Sequence, residues 1–180
     1  MENKINVFGL DKLIQKQSAV TKSKILSQTI IDGVKVKFIR PVPHEDGTLC
    51  EIARTDWDEI TDPIVHTHVT TTQIGRIRAW GLHQNSTDRL FVVKGLVSIV
   101  VYDGRIDSPT YGVINEFKVS ERNPVLLVIP PNLYHGWKNI GTDEAYIINM
   151  PTSMYNYHKP DALDLPYESD EAIEIVPFRW

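Results

Sequence analysis

Two histidines set in spaced patterns are the residues of this chain best suited to chemistry. In GRIRAWGLHQNSTDRLFVVKG, His83 precedes an acid, Asp88, and a glycine, Gly95, with six residues between the last two. In IPPNLYHGWKN, Pro130, Asn132, His135 and Asn139 follow a P-x-G-x-x-H-x-x-x-N spacing, with Asn132 at the glycine position. Asn tolerates left-handed backbone, so the replacement keeps the turn. On neighbouring β-hairpins the two stretches would face His83 and His135 into one interior. An imidazole near its unperturbed pKa suits proton transfer at pH 7, and a buried carboxylate behind it would fix its tautomer. A further pair, His66 and His68, could share a strand face and hold a metal. Asp62 and Pro63 just before it mark a loop, and the spacing to the next glycine is poor, so a structural or substrate-side role is expected. Cys50, the sole cysteine, can form no internal disulfide, and Glu51 beside it would raise its pKa, so it reads as a packing residue.

The elements that must position these side chains are mostly strands. VKVKFI alternates at period two until Pro41 and Pro43 end it, and RLFVVKG, LVSIVVYDGR, VINEFKV, PVLLVIP and AYIINM are short runs rich in β-branched and aromatic residues. Gly, Pro, Asn and Asp separate them, with no helical stretches between, so an all-β sandwich or barrel is expected over 29–151. Val7, Leu10, Leu13 and Ile14 predict a short helix, followed by a polar arm, within 1–28. Residues 152–180, rich in Pro, Tyr and acids, read as a wrapping tail with one short helix near Pro160. At 180 residues and 20.5 kDa the chain fits a single domain, 1–180. A net charge of -4 argues against a nucleic-acid surface. The start MENKINVFGLDKLIQKQ lacks a signal-peptide core and no apolar run suits a membrane span, so a cytoplasmic setting is expected.

The spacing around His83 and His135 resembles the two signatures of the cupin jelly roll, and the chain looks like a member of the dTDP-4-dehydrorhamnose 3,5-epimerase family. The likeness runs from about Gly47 to Pro177 and is carried by WGLH at 80–83, YDGRIDSPTYG at 102–112, IPPNLYHGW at 129–137 and YNYHKP at 155–160. DGTLCEIAR at 46–54, with Glu51, echoes the family's acidic and Arg-bearing segment near the nucleotide. The resemblance implies a cupin jelly-roll fold, a sugar-nucleotide substrate, no cofactor and a homodimer joined through sheet edges. It makes His83 the base and His135 its partner, with Glu168 or Asp170 as the carboxylate behind His83. Arg78, Arg89 and Lys138 become candidates for the diphosphate, and Trp80, Trp137 and Tyr134 for stacking.

Three departures shape the expected reaction. Trp80 stands where the family has an Arg before Gly-Leu-His, with Arg78 two residues earlier; Asp88 replaces a Lys that steadies the enolate; and Asn149 falls near the family's Tyr acid. Tyr155 or Tyr157 would then supply the proton, while Asp88 and Asn149 would meet substrate. A single epimerisation or a keto-isomerisation next to a 4-keto group, in surface polysaccharide or deoxysugar biosynthesis, fits this set better than a double epimerisation. A metal-dependent cupin using His83, Asp88 and His135 is the alternative, but Gly81 takes the place of a further His and no resident metal is expected. A non-catalytic sugar-nucleotide binder is the other.

Overall fold

A computed structural model describes residues 28–180, so the helix and arm expected within 1–28 lie almost wholly outside the described residues. Twelve strands follow: β1 (Lys35–Phe38), β2 (Val42–His44), β3 (Gly47–Leu49), β4 (His68–Thr72), β5 (Ile77–His83), β6 (Asp88–Lys94), β7 (Leu96–Tyr102), β8 (Ile114–Ser120), β9 (Val125–Ile129), β10 (Tyr134–Asn139), β11 (Ala145–Asn149) and β12 (Ala162–Asp164). One helix, α1 (Asp170–Ile175), closes the described chain. Two five-stranded antiparallel sheets, ordered β1-β9-β6-β11-β4 and β12-β5-β10-β7-β8, form the cupin sandwich, with β2 and β3 as a separate hairpin.

The long apolar runs of β7 and β9 arise because both faces of these strands are covered. Val97, Ile99 and Val101 of β7 and Val125, Leu127 and Ile129 of β9 point between the sheets, into a core shared with Leu90, Val92, Phe117 and Ile147. Leu126 and Val128 point the other way, under Ile60, Trp57 and Ile64 of the segment before β4. Val100 and Tyr102 likewise lie under the C-terminal segment, with Ala172, Val176, Phe178 and Trp180. The tail therefore wraps the outer face of the second sheet. The residues just after Pro160 form β12 on the edge of β5 rather than a helix, because there they extend the ladder Ala162↔His83, Leu163↔Leu82, Asp164↔Gly81. The helix comes later, where Ser169 caps it by accepting a 3.1 Å hydrogen bond from the Ala172 amide.

A bulge in β5 decides what enters the sandwich. Along β10 the ladder steps from His135 to Trp137, while along β5 it steps from Gly81 to Arg78. The extra residue switches the facing of the strand. Arg78, Gly81 and His83 consequently share the inner side, while the Trp80 ring packs outward, 5.0 Å from Trp180 and 6.1 Å from Phe178 between ring centres. Gly136 permits this crossing, since a Cβ there would collide with Ala79 and the Arg78 carbonyl.

Candidate active site

A cavity of about 580 Å³ opens between the sheets at the end where β5 and β10 carry their histidines. Its wall is built by alternation. β5 offers Arg78 and His83, β6 Asp88, β10 His135 and Trp137, β11 Asn149 and β4 His68, while Tyr155 and Asp161 come from the tail. The turn before β10 has the conformation read from its sequence: Asn132 has φ 64°, and its amide donates to the His83 carbonyl at 2.7 Å, tying the two histidine-bearing stretches together.

At the centre stands Asp88, 4% exposed. Its Oδ2 lies 3.1 Å from His135 Nε2 and 3.4 Å from His83 Nε2, and the two imidazoles stack at 5.9 Å with 20° between planes. Its Oδ1 accepts a 2.8 Å hydrogen bond from Asn149 Nδ2, and the Asn149 Oδ1 accepts from the Arg89 amide. The rear of each imidazole also faces an acceptor. His135 Nδ1 is 3.1 Å from the Leu133 carbonyl, and His83 Nδ1 is 3.5 Å from Asp161 Oδ2, too long and poorly aligned for a full hydrogen bond. Asp161 is itself anchored by the amides of Asn85 and Ser86 and by Asn85 Nδ2.

The electrostatics follow from these contacts. Burial pushes the Asp88 carboxyl up, but the imidazoles of His135 and His83 outweigh it and hold it far below the usual carboxylate range. Asp88 raises the pKa of His83, against burial and with help from Asp161. Burial, and then the neighbouring His66, hold His68 below the usual imidazole value.

Not every expected residue reaches the cavity. Arg89 is 1% exposed and turned to the opposite face of β6, where its guanidinium donates to the carbonyls of Asp62, Pro63 and Met150, away from the cavity wall. Lys138, one position off the His135–Trp137 face, and Tyr157, 86% exposed, are not on the cavity wall. Glu51 pairs with Arg54 at 2.7 Å, also away from it. Glu168 bonds Tyr167 and Asp170 opens α1, so the carboxylate behind His83 is Asp161, which the sequence reading missed. Tyr134 belongs to the cluster under the tail, and so does the Trp80 ring, although Trp80 also borders the cavity. Asn149 faces the cavity but spends its amide on Asp88. Arg78 remains as the cavity's guanidinium, 5.8 Å from the Trp137 ring. His66 and His68 both line the cavity, and His68 opens β4 rather than lying in a loop.

A jelly-roll sandwich whose interior cavity gathers imidazoles, carboxylates and one guanidinium has the form of a cupin enzyme. The model of the dTDP-4-dehydrorhamnose 3,5-epimerase family matches residues 28–176, and the chain belongs to that family of enzymes. Among curated relatives, a probable low-salt glycan biosynthesis epimerase, Agl13, of Haloferax volcanii is 34% identical over 139 residues, covering 77% of this chain and 89% of that protein. The spore coat polysaccharide biosynthesis protein SpsL of Bacillus subtilis is 31% identical over 151 residues, covering 84% and 97%. A solved dTDP sugar isomerase from Desulfovibrio desulfuricans G20 superposes with a TM-score of 0.75 at 24% identity, over 83% of this chain and 92% of that one, which supports the fold. Among the described residues no helix is long and apolar enough to cross a membrane.

Proposed function

We propose that the protein epimerises or isomerises a sugar nucleotide at the carbon next to a 4-keto group of a deoxysugar, acting as a cytoplasmic homodimer in the assembly of a surface polysaccharide or other glycan. Family membership supports the substrate class, and the names of the two curated relatives support the glycan setting. The single observation that carries the reading is the wall of His83, Asp88 and His135 inside a cavity of about 580 Å³, a size that suits a small ligand.

Removing a proton next to a ketone leaves an enolate; returning the proton to the same carbon from the opposite face gives an epimer, whereas passing the adjacent hydroxyl proton to the former keto oxygen and protonating the former keto carbon gives a keto isomer. The reacting end of the sugar meets His83 and His135, whose rings are steadied from behind by Asp161 and the Leu133 carbonyl. Tyr155 returns the proton, a reading supported by its presence on the cavity wall, from which Tyr157 is absent. Arg78 is the guanidinium for the phosphates.

Solvent-deuterium incorporation into 4-keto-6-deoxy sugar nucleotides tests this reading. His83→Asn should keep nucleotide binding and lower exchange roughly a hundredfold or more. Tyr155→Phe should retain exchange and lose the rearranged product. Exchange that is unchanged in His83→Asn, on every substrate the wild type accepts, would overturn the proposal.

A further inference from the structure

We infer that His68 is a further catalytic residue, an imidazole that donates a hydrogen bond to the keto oxygen of the sugar and holds the negative charge that gathers there. The role rests on the keto-sugar reading, which calls for a donor at this oxygen. When the C–H proton leaves for His83, its electron pair becomes the new C=C bond and one C=O pair settles on oxygen as an enolate. A preorganised N–H aimed at that oxygen lowers the barrier. Asp88, the carboxylate at the centre of the cavity, repels the enolate instead.

Strand β4 brings His68 to the place required. Alternation sets His68, Thr70 and Thr72 on one face of the strand, with Val69 and Thr71 exposed on the other. His68 and Thr70 line the cavity, and Thr72 Oγ1 accepts a 2.9 Å hydrogen bond from the indole of Trp137, another lining residue. In the ladder with β11, His68 stands opposite Asn149, so the two side chains are cross-strand neighbours. Asn149 Nδ2 in turn donates to Asp88 Oδ1 at 2.8 Å. His68 therefore sits one side chain from Asp88, on the sheet that faces the one bearing His83 and His135. The keto oxygen lies in the plane between the face that loses the proton and the face that regains it. A donor for it is best drawn from an element other than β5, β10 and the tail, and β4 is such an element.

Neighbouring donors are already engaged. Asn149 gives its amide to Asp88, Trp137 Nε1 gives its proton to Thr72, and the ring nitrogens of His135 face the Leu133 carbonyl and Asp88. Among the described residues no hydrogen bond engages the His68 ring, which lies tilted against that of His66, 5.2 Å away between centres. Burial and then His66 hold His68 below the usual imidazole value, Arg78 and His83 act in the same direction, and Asp88 opposes them. A neutral imidazole shares its one N–H without surrendering it, so the enolate is held and remains reactive at carbon.

The test uses the full-length protein and a panel of dTDP-, UDP- and GDP-linked 4-keto-6-deoxy sugars. His68→Phe should lower solvent-deuterium exchange roughly a hundredfold while leaving the dissociation constant of the sugar nucleotide within about twofold. His68→Gln, whose amide can donate, should recover about tenfold of that loss. A further measurement needs no turnover. On the His83→Asn background, the infrared carbonyl stretch of the bound sugar, isotopically labelled at its keto carbon, should lie below that of the free sugar and return to the free value when His68→Phe is added. Ser86 Oγ is buried without a hydrogen-bond partner and Thr70 carries a second hydroxyl on the wall, so Ser86→Ala and Thr70→Val are the comparison, and both should leave the stretch in place. Should His68→Phe fail to fold, the His68 ring N–H resonance of His83→Asn must move on binding the keto sugar and stay in place on binding its 4-hydroxy counterpart. Exchange unaltered by His68→Phe, or a stretch that follows Ser86 or Thr70 instead, overturns the assignment. Absence of exchange in the wild type counts against the proposed reaction, and the carbonyl stretch then still decides whether His68 holds the keto oxygen.

Discussion

Two buried aspartates, one at the foot of the loop 103–113 and one in the cavity, show how the same residue type is used for opposite ends. Asp103 is fully buried, and its two oxygens accept five hydrogen bonds, from the Arg105 amide, Nε and Nη2, Ser108 Oγ and Thr110 Oγ1, all within seven residues of chain. Asp88 is nearly as buried, yet only its Oδ1 has a well-formed hydrogen bond, and its Oδ2 faces imidazoles from two other strands. A carboxylate satisfied by its own loop stiffens that loop. One left with an oxygen facing two distant histidines is kept ready for something else.

The largest expected effect comes from breaking the structural member of the pair. Asp103→Ala leaves Arg105 and two hydroxyls without their acceptor and should cost about 3–5 kcal/mol in chemical unfolding, with little change in exchange activity of the folded fraction. The same aspartate sets an acid response. Burial raises its pKa, but Arg105, Ser108 and Thr110 outweigh that and hold it well below the usual range. A depressed folded value means that the stabilisation is present above the unfolded carboxylate pKa, near 3.9, and is lost as pH falls through the folded value. Wild-type stability should therefore fall more steeply below about pH 4 than that of Asp103→Asn, and equal slopes would refute the assignment.

Asp88→Asn should do the reverse, lowering deuterium exchange roughly a hundredfold while shifting stability by no more than about 1 kcal/mol. A loss of stability like that of Asp103→Ala would erase the distinction between the two. A smaller effect is expected at Gly136→Ala, where overpacking against Ala79 should cost about 1–3 kcal/mol and weaken nucleotide binding by displacing Arg78. The mildest change concerns assembly. Deleting residues 1–28 should weaken a homodimer, measured by sedimentation at micromolar concentration, more than it unfolds the sandwich; a monomeric wild type would remove the dimer altogether.

Most of the strand plan was legible because strands covered on both faces leave dense apolar runs, unbroken in β9 and interrupted only by Ser98 in β7. Asn132 was legible because its backbone demand is local. Asp161 was not, since what brings it to His83 is the pairing of β12 with β5, a long-range ladder with no short-range signal beyond a weak Ala-Leu-Asp. Arg89 misled for a related reason. Its charge suggested a ligand, yet its place between Asp88 and Leu90 gives it the outer face, where backbone carbonyls await it. The family's Arg position was assigned to Trp80 by counting back from Gly-Leu-His, a count along the chain that the bulge makes different from a count along the sheet. The residue paired with Trp137 is Arg78.

That bulge also divides the selective pressures acting on one strand. Residues on the His83 side of it answer to chemistry, and Trp80 answers to the fit of the tail beneath, so a lineage can remodel the packing under the sheet without dragging the imidazole along. Under strict alternation the three steps from Arg78 to Gly81 would set the two on opposite faces, so it is the extra residue that keeps the guanidinium on the side of the imidazole and leaves the indole outside. The irregularity of this short stretch, more than its polarity, is thus what lets one strand serve the cavity and the packing beneath the sheet at once.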